Sequence, residues 1–340
     1  MNIKGQCDMG FIKNIRKNTI LVLIITILSL YIILRKDWRD IILSFQNIQV
    51  FYIALAFLFF FFSIIVRGYI NYKITGDREK LSIREAIKHN IIVQFFNGIT
   101  PFSTGGQPME IYMLTEHDIP LPLATNQVIQ SAIFYQIALV LFGVFAILLN
   151  LLFGFFPQDT ATNYFVALGF LMNLGVAVVL FFLSSSKRIT IKIGNAFKWI
   201  VHQLKIQVED QEIDKILEDY YQSFQKMKKN RKLVVEGIFF NLLSLACLYS
   251  VPYFVVLAMS SNSLSFFETL ISSAYVYVMA SFIPIPGSSG GIEYAFSKVY
   301  YHFVSADVLS AALILWRFIT YYFGIILGAM VFNLEKRGKK

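Results

Sequence analysis

Apolar residues run almost unbroken over six stretches of the chain, about 18–34, 50–70, 122–153, 161–183, 233–259 and 307–332. A helix needs roughly 20 such residues to cross a bilayer, so each stretch is read as a membrane helix. Two further stretches, about 84–117 and 266–303, are too polar or too broken for simple spans. Each carries a version of one six-residue phrase. Pro101-Phe102-Ser103-Thr104-Gly105-Gly106 reads P-x-S-T-G-G, and Pro286-Gly287-Ser288-Ser289-Gly290-Gly291 reads P-x-S-S-G-G. Proline and paired glycines break helices. Broken backbone at membrane depth persists only where protein surrounds it or a water-filled cavity meets it. Each interrupted stretch therefore predicts a hairpin of two half-helices or a pair of short full spans. The short limbs, with the breakers gathered at the turn, favour the hairpin.

Charge adds an orientation. Basic residues crowd the N-terminal tail (Lys4, Lys13, Arg16, Lys17) and the loop before the first interrupted stretch (Lys73, Arg78, Lys80, Arg84, Lys88). They also crowd 184–232 and the tail Lys336-Arg337-Gly338-Lys339-Lys340. Cytoplasmic loops hold such residues, so both termini are expected in the cytoplasm. All four regions share that side only if each interrupted stretch returns to the side it entered from. Arg35, Lys36 and Arg39 dissent on the outer side, partly offset by Asp37 and Asp40. The first apolar run ends in Ile-Ile-Leu-Arg-Lys without a small-residue cleavage site, and is read as an uncleaved signal anchor.

Parity then gives two units of like order. The first is span 50–70, hairpin 84–117, span 122–153. The second is span 233–259, hairpin 266–303, span 307–332. Their hairpins enter from opposite sides, which predicts an inverted-topology repeat. The expected fold is all-α: one polytopic membrane domain over 1–340 with two re-entrant hairpins. Repeat one covers about 50–153 and repeat two about 233–335. Between them, Ile189, Ile193, Phe197, Ile200, Val201, Leu204 and Val208 recur at helical spacing, as do Ile213, Ile216, Leu217, Tyr220, Tyr221, Phe224 and Met227. Amphipathic helices on the cytoplasmic leaflet and a helical linker packed on the domain both fit this stretch.

Composition agrees with a membrane protein. Hydrophobic residues make up 56% of the chain, more than soluble domains carry. The net charge of +9 sits in loops, where anionic lipid accounts for it, and no RNA-binding module accompanies it. No nucleic-acid partner is expected. Cys7 and Cys247 lie in different settings and do not suggest a disulfide.

The two tips carry the candidate chemistry. Their Ser and Thr residues suit N-caps, and Pro108 suits a first helical turn. A helix starting at depth points free N–H groups and a positive dipole end at its surroundings, and glycines allow close approach. An anion such as a lipid phosphate fits there. Packed structural kinks are the alternative. Arg317, mid-span in Leu-Trp-Arg-Phe-Ile, is expected to face the bundle interior. It either binds a phosphate or pairs with Glu293 or Glu110. The two glutamates follow the Gly-Gly tips and either meet a cationic headgroup or serve as helix-dipole partners. Asn97, Gln94 and Gln107 add neutral hydrogen-bonding groups.

His89 and His117 flank the first hairpin, while His202 and His302 lie elsewhere. No pair has metal-ligand spacing and no Ser-His-Asp order stands out, so no catalytic residue, metal or cofactor is assigned. Arg67 is expected to snorkel at the end of its span. No G-x-x-x-x-G-K-[ST] loop is present. Transport would be downhill, ion-coupled or driven by a partner.

Asn97-Gly98-Ile99-Thr100-Pro101 through Gly105-Gly106-Gln107-Pro108, Ile283-Pro284-Ile285-Pro286-Gly287 through Gly290-Gly291-Ile292-Glu293, and Trp316-Arg317 resemble the lysylphosphatidylglycerol synthase transmembrane family. This flippase-like domain occurs in bacterial multiple peptide resistance factors and as stand-alone proteins. The likeness covers nearly the whole chain. It implies a bacterial cell-membrane protein that translocates or binds an anionic or aminoacylated phospholipid, with a role in resistance to cationic antimicrobial peptides. By position it implicates Pro101, Gly105, Gly106, Gln107, Pro108, Pro286, Gly287, Gly291, Glu293 and Arg317. Many relatives carry Glu at position 107 and a basic residue at position 110. Full-length synthases add a soluble aminoacyl-transfer domain, which is not expected here because the sequence ends at Lys340.

The resulting lipid-binding set is Asn97, Thr100, Pro101, Ser103, Thr104, Gly105, Gly106, Gln107, Glu110, Pro286, Ser288, Ser289, Gly290, Gly291, Glu293 and Arg317. A headgroup transferase, a membrane partner of a separate lysyltransferase and a non-transporting sensor are the alternatives to a flippase. The expected partners are a phospholipid, the membrane, a separate synthase subunit and a second copy of the chain.

Overall fold

The computed structural model describes residues 48–75, 80–155, 160–189, 191–192, 195, 198–199, 210–259 and 264–338. The expected signal anchor at 18–34 and Cys7 lie outside the described residues. Among the described residues there is no strand. The main helices are α1 (Val50–Ile74), α2 (Ile83–Gly98), α3 (Gly106–Glu116), α4 (Leu121–Phe153), α5 (Thr160–Ser185) and α6 (Asp210–Lys229). They continue with α7 (Arg231–Tyr249), α8 (Val251–Ala258), α9 (Phe266–Ala280), α10 (Gly291–Tyr300), α11 (Ala306–Arg317) and α12 (Phe323–Gly338). Among the described residues, five helical runs are long and apolar enough to cross a membrane. They are α1, α4, Thr160–Phe182 within α5, α7 with α8, and Val308–Glu335 across α11 and α12. The chain is a multi-pass, all-α membrane protein.

Two expected spans are not simple helices. The run 233–259 bends at Ser250, between α7 and α8. Pro252 lacks the N–H that would continue the α7 ladder, and the Ser250 hydroxyl donates to the Cys247 carbonyl at 2.8 Å. The run 307–332 is interrupted by a π-helical turn, Phe318–Tyr322, just after Arg317. Such bulges often mark functional sites.

A long helix, a short limb, a tight turn, a second short limb and a long helix follow one another twice. Both first limbs start with the same device. Ser82 accepts from the Glu85 N–H while Glu85 accepts from the Ser82 N–H, and Ser265 and Glu268 repeat this reciprocal cap. In each unit the two limbs pack together, α2 on α3 and α9 on α10.

α12 lies along α2 because Gly324 and Gly328 remove side chains where the axes meet. A β-carbon on Gly328 would stand 2.6 Å from the Ile91 carbonyl oxygen. The second unit is held by stacked rings. Phe296 stacks on Trp316 with centroids 4.7 Å apart and on Tyr300 at 4.2 Å, while Tyr277 meets Trp316 edge-on. These rings fix α10 against α9 and α11. The amphipathic helix α6 buries Phe224 and Met227 among Ile70, Ile74, Ile133 and Phe134. These contacts pack α6 on the domain.

Candidate functional site

The two tips meet. The turn at Pro101–Ser103 packs against the turn at Pro286–Ser288, although 185 residues separate the two prolines in sequence. The turns also share a rare backbone shape. Phe102 and Ser103 have φ of 53° and 54°, and Gly287 and Ser288 have φ of 62° and 52°. Two consecutive left-handed residues close a turn in which the Thr104 N–H donates to the Pro101 carbonyl (3.3 Å) and the Ser289 N–H to the Pro286 carbonyl (3.4 Å). Left-handed backbone costs a non-glycine residue about 1–2 kcal/mol. Phe102, Ser103 and Ser288 are held in it nonetheless.

The hydroxyls expected as N-caps do something else. Thr104 and Ser289 donate back to their own turn prolines' carbonyls, at 3.0 and 3.1 Å. The helices that follow start from Gly105 and Gly290. At the first tip, two residues from the preceding limb supply the caps. The Gly105 N–H donates to Thr100 Oγ1 at 2.8 Å and the Gly106 N–H to Asn97 Oδ1 at 2.9 Å. At the second tip, Glu293 accepts from the Gly290 N–H at 2.6 Å.

Arg317 sits beneath the second tip and is 4% exposed. Its Nε lies 2.8 Å from Glu293 Oε1, an ion pair in which the N–H points off the line between them. Its Nη2 donates to the Gly287 carbonyl at 3.1 Å. The guanidinium also lies over the Tyr321 ring, 4.3 Å from its centroid. Of the partners open to Arg317, the structure joins it to Glu293.

Glu110 has other company. It accepts from Asn71 Nδ2 at 2.9 Å, and the Ser131 hydroxyl donates to Asn71 Oδ1 at 2.6 Å. These residues are buried and tie α3 to α1 and α4. Glu293 is the third residue of its helix and Glu110 the fifth, so their similar spacing from the glycines hides a different face. Arg67 is half-buried over the Tyr135 ring, 4.3 Å from its centroid.

Tyr321 was not anticipated as a site residue. Its hydroxyl donates to the Gly98 carbonyl at the end of α2 (2.9 Å), and its ring abuts Gly287. It thus bridges both tips from the π-helical turn. The aromatic run after Trp316-Arg317 was the available signal, but only the π-helical turn reveals the direction. Pro101, Phe102, Ser103, Thr104, Gln107 and Gly290 are exposed, Pro286, Gly287, Ser288 and Gly291 half-buried, and Ser289 buried. The joined tips therefore present polar backbone and hydroxyls at an accessible face, backed by a buried charge pair.

The family described as the lysylphosphatidylglycerol synthase TM region matches residues 19–328. The chain belongs to that family. It is also similar to a UPF0104 membrane protein of Archaeoglobus fulgidus, at 24% identity over 319 residues, covering 89% of this chain and 88% of the relative. A second relative is an uncharacterized protein of Mycoplasma pneumoniae, the MG306 homolog, at 25% identity over 269 residues. That match covers 71% of this chain and 66% of the relative.

Proposed function

We propose that this family member binds a phospholipid headgroup at the joined tips and moves it between leaflets. One observation carries the reading: two strained turns of like sequence and like backbone meet at an accessible face over a buried Arg–Glu pair. The limbs of 16, 11, 15 and 10 residues support it. At about 1.5 Å per residue even the longest reaches some 24 Å, short of a hydrocarbon core of about 30 Å. Both hairpins are re-entrant, and their units form an inverted repeat with both termini in the cytoplasm. The headgroup phosphate competes with Glu293 for Arg317, which offers paired donors. An aminoacylated headgroup carries both signs, so its ammonium takes the carboxylate that Arg317 releases. This matches an anionic or aminoacylated lipid such as lysylphosphatidylglycerol. Rocking of one unit against the other exposes the site to each leaflet in turn.

The test is transbilayer movement of labelled lipids in liposomes holding the purified protein. Movement of phosphatidylglycerol or its lysyl ester, well above protein-free liposomes, is expected. No movement of either lipid with folded protein would reject the reading.

A further inference from the structure

A second polar cluster lies away from the tips. His89 projects from α2, His117 ends α3, and Glu335 lies near the end of α12. One potential ligand atom from each falls within 4.8 Å of the others. The imidazole centroids are 5.1 Å apart, and His89 is only 3% exposed. The Nδ1 of His117 faces Glu85 Oε1 at 4.0 Å. Its Nε2 is buried without a hydrogen-bond partner. A buried polar atom left this way is destabilising, so the ring is poised for an unseen ligand.

We propose that His89, His117 and Glu335 bind one divalent transition-metal ion, with Zn2+ the best fit. Two imidazoles and one carboxylate suit zinc, whereas Mg2+ and Ca2+ favour all-oxygen sets. Zinc–ligand bonds of about 2.0–2.2 Å in tetrahedral geometry set ligand atoms roughly 3.4 Å apart. Binding would require side-chain rotation to close the observed spacing to this. Glu85 Oε1 lies 4.0 Å from Nδ1, and a shift that closes this gap would let it orient the ring as carboxylates behind metal-bound histidines do. The ion would staple both ends of the first hairpin to the last helix. It would thereby hold the α2–α12 contact that carries Gly324 and Gly328. Sequence spacing conceals the site because Glu335 lies 246 positions from His89.

The experiment uses the whole purified chain in detergent, stripped by chelator and then offered Zn2+ alone. One zinc per chain by elemental analysis and a raised unfolding temperature are expected. Glu335→Gln, on a half-buried helix position, should abolish stoichiometric binding without changing the elution profile. Glu85→Gln keeps a side chain that can still complete the cap at Ser82 and should weaken binding about 10–100-fold. His302→Gln should bind as the native chain does. Co2+ substitution should give the visible spectrum of a low-symmetry imidazole site. Failure of the native chain to retain zinc, or retention by Glu335→Gln equal to the native level, would overturn the site.

Discussion

At the scale of single residues, the buried pair Arg317–Glu293 decides most. Removing one member leaves the other charged and desolvated, at about 3–5 kcal/mol. Arg317→Met should therefore lower the unfolding temperature sharply. Arg317→Met combined with Glu293→Gln should recover most of that loss while lipid movement stays abolished. Thermal unfolding paired with the liposome assay separates the two roles, and restored movement in the double variant would exclude a headgroup role for the pair. Gly287 offers a second check. It combines a φ of +62° with close contact to Tyr321, so Gly287→Val should disturb the tip through both. Loss of lipid movement is expected there. Phe102 stands at the matching position of the first tip with its side chain 53% exposed, and Phe102→Ala should be mild in the same assay. The sequence placed Arg317 in the bundle interior and left a phosphate, Glu293 and Glu110 open as its partner. Helix rotation decides between Glu110 and Glu293, and local spacing does not encode it.

At the scale of elements, apolar runs revealed most of the helices, since each long run among the described residues is one helix or two joined ends. They did not reveal the bend at Ser250, because Pro252 breaks the ladder inside an unbroken apolar run, or the π-helical turn after Arg317, which leaves the apolar pattern intact. The roles of Thr104 and Ser289 were also hidden. A hydroxyl beside a helix start suits a cap, yet the left-handed turn brings the proline carbonyl closer. The paired capping boxes at Ser82 and Ser265 stand in the sequence as S-x-x-E, a signal that the apolar pattern alone passes over, and mark where each first limb begins. The α12–α2 contact yields a packing prediction. Gly328→Leu should destabilise by about 1–3 kcal/mol or more, because a side chain must push Ile91 and Phe95 away. Gly175→Ala in α5, with nothing within 4 Å of an added β-carbon, should lose nothing and gain up to about 1 kcal/mol. Unfolding of both variants in one detergent checks the pair.

At the scale of the whole molecule, the two tips that carry the repeated phrase meet. A six-residue echo is legible because the same strained turn must be built twice, from Pro101 and from Pro286. The orientation of the two units in a bilayer and the transport cycle are proposals resting on that meeting. If rocking parts the tips, a reducible cross-link between Ser103→Cys and Ser288→Cys should arrest lipid movement, and reduction should restore it. The most direct measurement is photo-labelling with a phospholipid that carries its reactive group on the headgroup, followed by peptide mapping. Adducts concentrated in 101–110 and 286–293, and lost in the Arg317→Met, Glu293→Gln double variant, are expected. Adducts spread over the lipid-facing surface of α5, with none at either tip, would contradict a headgroup site there.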